Sequence, residues 1–290
     1  MHGVISRSLF YCLVFCLCAA FLSCLLTKAG ALPQQGASTS AVNQEQAQQA
    51  LNMGVQAYKE AQFDRAIELF TKAKELDPSL LNAQLYLATA YASQYIPGAP
   101  GEENVRMGRL ATDAYKEVLQ RDPQNLSAID GLASILYQRA GQPFDADMFA
   151  ESKSHRRKHT ELKPQDSQPY YSIGVIDWAL SYRGNTKLRQ AFNQSVGGEG
   201  LQDADPLPEV LRVEYVREFG GVIDEGIQAL TYAIQLKPDY DDAMTYLNLL
   251  YRRKADTVES AMERARLTEI ADELLDKVKE IKQKRAGSID

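Results

Sequence analysis

Residues 61–78 read AQFDRAIELFTKAKELDP, and the apolar positions in this stretch decide the fold. Ala66, Phe70 and Ala73 share one face at helical spacing, charged residues fill the remaining faces, and Pro78 closes the run. A surface helix ordinarily fills its buried stripe with Leu, Ile or Val, because a larger side chain removes more apolar area from water. Alanine at two of these three positions predicts instead that another helix approaches closely, with Phe70 filling the space the small residues leave. Recurrence of the pattern along the chain would make the molecule an array of helix pairs.

It does recur. Similar helix stops, KELDP, LQRDP, TELKP and IQLKP, end at Pro78, Pro123, Pro164 and Pro238, with spacings of 45, 41 and 74 residues. Ala50, Met53, Gly54 and Ala57, followed by Ala66, Phe70, Ala73 and Pro78, occupy the signature positions of a helix–turn–helix unit of about 34 residues. On these residues the chain resembles a tetratricopeptide repeat protein. The resemblance implies an all-α fold, a tetratricopeptide-type α-solenoid of helix-turn-helix repeats with insertions. Units are expected near 47–80, 81–125, 126–166, 167–240 and 241–284, within a repeat domain spanning 46–290. The stretches YIPGAPGEEN, YYSIGVIDW and DYDDAMTYLNLLYRRKAD further resemble a group of exported bacterial tetratricopeptide proteins of unassigned activity.

Three interruptions stand out. About 11 extra residues around YIPGAPGEEN read as a loop, with Pro100 in the first turn of the next helix and Glu102 and Glu103 complementing its positive end. The third unit is degenerate, carrying Arg156 and His159 where the pattern has Phe and Ala. About 40 extra residues split the fourth unit around 184–220; they suit a lid, an extra helix pair or a docking arm. Charged helix from about Val258 to Lys284 is expected to cap the array.

The first thirty-one residues belong to a different class. Leu9 to Leu26 is an uncharged, almost wholly apolar run with Arg7 before it and Lys28 after it, a signal peptide or N-terminal membrane anchor. Ala29-Gly30-Ala31 offers a cleavage pattern, and Leu22-Ser23-Cys24 a weak lipidation box. All four cysteines lie in this run, so the remainder has no disulfide, thiolate metal site or cysteine nucleophile. Residues 32–45, rich in Gln, Ser, Ala and Gly, read as a flexible tether. The expectation is an exported protein, periplasmic or membrane-anchored.

Net charge of −6 and a pI near 5.3 give nucleic-acid binding no support. No cofactor motif is present. HRRKH (155–159) places two histidines one turn apart, but intervening cations disfavour a metal, and a solvated basic helix face is expected. DYDDAM (239–244) reads as a helix N-cap rather than a calcium loop.

Tetratricopeptide arrays as a family bind extended peptides or helices on the concave face of their first helices. The stripe facing that groove would present Leu51, Val55 and Tyr58; Leu85 and Thr89; Asp130, Ser134 and Tyr137; Tyr171, Val175 and Trp178; and Thr245, Leu249 and Arg252. Tyr58, Tyr137, Tyr171, Trp178 and Arg252 are the candidate partner-binding residues, since aromatics and arginine tend to anchor interfaces. An alternative buries Tyr171 and Trp178 beneath the insertion. The groove lacks the lysines and asparagines of the chaperone-clamping version. The function indicated is a non-catalytic interaction or scaffold protein of the bacterial envelope. The alternatives are an envelope enzyme using carboxylates such as Asp130 and Asp177, and an assembly factor making contact through the insertion.

Overall fold

The computed structural model describes residues 35–196 and 200–287, and among these it contains ten α-helices and no strand. In chain order they are α1 (Gln35–Lys59), α2 (Phe63–Leu76), α3 (Leu81–Gln94), α4 (Glu102–Arg121), α5 (Leu126–Ala140), α6 (Ala146–Leu162), α7 (Ser167–Val196), α8 (Glu209–Leu236), α9 (Asp241–Ala255) and α10 (Ala261–Ala286). Each odd-numbered helix packs most closely on the even-numbered one that follows it, giving five hairpins in register with the five expected units.

The small residues lie where the hairpins touch. Ala66, Phe70 and Ala73 are fully buried in a core completed by Ala50, Leu51, Leu69, Ala83 and Leu87. Gly174 of the fourth hairpin repeats the arrangement of Gly54 in the first. Each backbone is pressed against a large side chain of its partner helix, Leu230 and Phe70 respectively. In the last hairpin Asn248 takes the corresponding position, and its amide donates to the Ala271 carbonyl of α10. Helix α10 thus serves as the second helix of the fifth unit and covers α9.

The proposed tether at 32–45 is corrected. Helix α1 starts at Gln35 and takes in most of it, because Ala and Gln are good helix formers and because Ala47, Ala50, Leu51 and Ala57 are buried along the same helix. The signal or anchor at 1–31 lies outside the described residues. No described helix is long and apolar enough to cross a membrane.

Residues 95–101 of YIPGAPGEEN form a loop, tied down by Asn104 of α4, whose side chain accepts from the Ile96 amide at 2.8 Å and donates to the Ile96 and Ala99 carbonyls. Pro100 precedes the helix rather than entering it, since Gly101 is the N-cap; Glu102 and Glu103 fill the first turn. The 40-residue insertion is the extra-helix-pair option in a continuous form. It lengthens α7 and α8 to 30 and 28 residues, against 14 in α2 and α3. The extension has its own apolar core, with Leu207, Tyr215 and Ile223 buried against Leu188, Leu211 and Phe219, and Tyr215 donates to the Ser181 carbonyl at 3.0 Å.

Two local expectations hold only in part, because some polar groups find partners on neighbouring helices instead of in water. Arg157 of the HRRKH face is exposed, but other members turn inward. His159 is buried, with Nδ1 2.7 Å from Asp130 and Nε2 3.2 Å from Asp166, and Arg156 donates to Asp130 and Ser134. In DYDDAM, Tyr240 is the N-cap and makes no side-chain capping bond, while buried Asp241 accepts from Arg285 of α10 at 2.8 Å.

Candidate functional site

Successive first helices touch one another, α1 with α3, α3 with α5 and α7 with α9, whereas no comparable contact joins successive second helices among the described residues. That asymmetry puts the odd-numbered helices on the inside of the curve. The backbones of α5 and α7 do not approach as closely; they are joined through Tyr137, Ala140, Phe149, Ile176 and Leu180, and an aromatic cluster lies beside this junction.

The cluster is built from three helices. Trp178 of α7 stacks on Tyr182 one turn later, 5.4 Å between ring centroids, and meets Tyr246 of α9 edge-on at 5.3 Å. Tyr171 contacts Tyr246 at 5.8 Å and Tyr240 at 5.0 Å. Tyr137 of α5 packs edge-on against Phe149 of α6 at 5.5 Å. Such edge and offset contacts stabilise the rings beyond their area burial, so the rings of α7 and α9 hold one another while Phe149 of α6 holds Tyr137. Tyr137, Tyr171, Trp178 and Tyr246 are half-buried and Tyr182 is exposed.

The electrostatics fit a partly dry, acidic-edged surface. Burial, and then the neighbouring Tyr246, push the Tyr137 phenol above its ordinary value. The same two causes raise Tyr171 further, with exposed Asp242 and Tyr240 adding to the shift. Burial followed by Asp242 and Asp166 takes Tyr240 up to about 12. All three hydroxyls therefore stay protonated at neutral pH, and that of Tyr240 already donates to Gln168 at 2.6 Å.

Three of the five candidate residues, Tyr137, Tyr171 and Trp178, are brought together. Tyr171 and Trp178 pack against Tyr240 and Tyr246 at the start of the fifth hairpin. Tyr58 belongs elsewhere, its hydroxyl 2.8 Å from Ser93 and its ring against Phe63. Arg252 is turned away, because its guanidinium pairs with Asp272 of α10 at 2.6 Å. Leu51 and Val175, also expected on the groove stripe, are buried in the core. Near Leu51 a depression of about 350 Å³, lined by Gln48, Asn52, Val55, Lys59, Asn82 and Tyr86, separates α1 from α3. Sequence reasoning missed Tyr182 and Tyr246. Tyr182 lies one helical turn beyond Trp178, a signal the repeat register hides because an ordinary first helix ends there.

The two carboxylates of the enzymatic alternative are both engaged. Asp130 is held by Arg156 and His159. Asp177 is completely buried, paired with Lys153 at 2.5 Å; Lys153 also reaches Glu225 of α8, which Arg157 holds from outside. Burial raises Asp177 to about 7 despite Lys153, and its second oxygen has no partner. Among the described residues no cluster of His, Cys, Asp and Glu has the makings of a metal site.

No protein-family model and no curated protein matches the chain. Solved structures do. MamA superposes with a TM-score of 0.53 at 16% identity, covering 87% of this chain and 96% of that one. A MamA fragment from Desulfovibrio magneticus RS-1 gives 0.54 at 15% identity over 82% and 96%. YrrB, a TPR protein described as having an unusual peptide-binding site, gives 0.52 at 17% identity over 86% and 92%. The chain has the tetratricopeptide fold. In this tetratricopeptide array the aromatic cluster occupies the inner side of the third, fourth and fifth units.

Proposed function

We propose that this chain is a non-catalytic interaction protein whose inner face takes up an extended peptide or helix of another protein, with Tyr137, Tyr171, Trp178 and Tyr246 as its main contacts. One observation carries the reading: the half-buried rings of Tyr171, Trp178 and Tyr246, from α7 and α9, are fixed by mutual packing on the inner face, and Tyr137 of α5 is held beside them against Phe149. Rings immobilised in the free protein lose little side-chain freedom when a partner covers them. Protonated phenols and the acidic edge at Asp242 suit a segment that offers apolar side chains together with backbone carbonyls or a cation. Envelope placement is part of the proposal and rests on the apolar run Leu9–Leu26.

The test is capture from an envelope extract by the full chain, by Trp178→Ala with Tyr246→Ala, and by Tyr58→Ala. Partners should be lost with the first variant and kept with the second. An identical partner set on all three would end the groove reading.

A further inference from the structure

We infer that the outer face of α8, in the extension of the fourth hairpin, is a self-association surface that pairs with the same face of a second copy in antiparallel orientation. Opposite the buried ring of Tyr215, this helix turns Val210, Val213 and Val216 to solvent, 79%, 59% and 41% exposed. At 100° per residue Val213 points away from Tyr215, and Val210 and Val216 flank it symmetrically. Branched apolar residues on a free helix face are unfavourable in water and gain by burial.

The charges on this face specify what covers it. Glu209 lies four residues before Val213 and Arg217 four residues after. Glu209 is exposed; Arg217 is 71% exposed, with an ion-pair contact to its neighbour Glu218 at 3.6 Å. A two-fold axis through Val213 sets each Val210 level with the copy's Val216. The same axis sets each Glu209 level with the copy's Arg217, so one apolar centre is closed by two identical ion pairs. Parallel pairing would oppose Glu209 to Glu209 and Arg217 to Arg217, so the charge order selects the antiparallel arrangement. Gly220, next along the face, carries no side chain to obstruct the turn that precedes the copy's helix. The patch is small, so the dimer belongs to the weak, concentration-dependent class below about 1,200 Å² of buried surface. It lies on α8 alone, apart from the aromatic cluster, and does not depend on the function proposed for that cluster.

The experiment is sedimentation of the full chain across about 10 to 500 µM. It compares the wild type with Val213→Glu, Glu209→Arg, Arg217→Glu and an equimolar mixture of the last two. The wild type should dimerise. Val213→Glu, which sets two carboxylates together on the axis, should remain monomeric, and each charge variant alone should associate roughly tenfold more weakly. In the mixture both cross-pairs are restored, so heterodimers should form with wild-type affinity. All three substituted side chains face solvent, and unchanged thermal unfolding separates lost association from lost folding. A monomeric wild type, self-association that survives Val213→Glu, or a mixture no tighter than its components would each overturn the proposal; the first would leave this face to a different protein.

Discussion

Gly54 stands against the ring of Phe70 with no room for a methyl group, since a Cβ at residue 54 would lie 2.5 Å from Phe70 Cε1. The first hairpin is closed by this contact, and the ring edge is rigid because Phe70 is fully buried. Gly54→Ala is therefore expected to destabilise the protein by about 1–3 kcal/mol through overpacking. The matched control is Gly221→Ala, also within a helix but with nothing within 4 Å of the new methyl; it should stabilise by about 0.5–1 kcal/mol. Urea unfolding of the two variants should give shifts of opposite sign.

Arg189 fastens the extension of the fourth hairpin to the fifth. Its guanidinium donates to Asn185 at 2.7 Å, to the carbonyls of Gln202 and Asp205 at 2.6 and 2.9 Å, and to Asp256 at 3.1 Å. Arg253 completes the group by reaching Asn185 and Asp256. Arg189→Met removes one cation from a buried set and leaves two carbonyls without their donor. The expected cost is about 3–5 kcal/mol, accompanied by faster proteolytic cleavage within 200–208 while α1 to α4 keep their amide-exchange protection.

Asp177 gives stability a pH dependence of unusual sign for a carboxylate. Its pKa rises from 3.8 unfolded to about 7 folded, chiefly through burial. Between those values the folded state binds a proton that the unfolded state does not, so this contribution falls as pH rises from about 4 to about 7. Asp177→Asn carries no titrating group and should flatten that part of the profile. Denaturant midpoints at pH 5 and pH 8 for the two proteins are the measurement. An equal drop in both would place the dependence on another group.

The repeat fold was legible because the signal is steric and local. Ala66, Phe70, Ala73 and Pro78 report close helix contact whatever surrounds them, and the structure buries the first three completely. The site was only half legible. Repeat register put Tyr137, Tyr171 and Trp178 on first helices, but it has no term for side chains that pair across units. Arg252 was lost to Asp272, and the HRRKH face was drawn inward by Asp130 and Asp166. The helical extension was one of three forms left open for the insertion. Its Gly184 is a close approach, where a Cβ would lie 2.2 Å from the Phe219 ring.

The Lys153–Asp177–Glu225 trio has a mechanical meaning. The large apolar clusters join the first three hairpins on one side and the last two on the other, and between them stand this charged trio and a smaller patch around Ala140, Phe149 and Ile176. Water competes for ions far better than for hydrocarbon, so the array is expected to flex as two stiff blocks at that joint. Native-state hydrogen exchange should resolve the blocks, with amides of α6 and α7 near the trio opening at lower cost than those on either side. A swing of a few degrees there would change the spacing between Tyr137 and the rings of α7 and α9, making the inner face an adjustable jaw in place of a fixed mould.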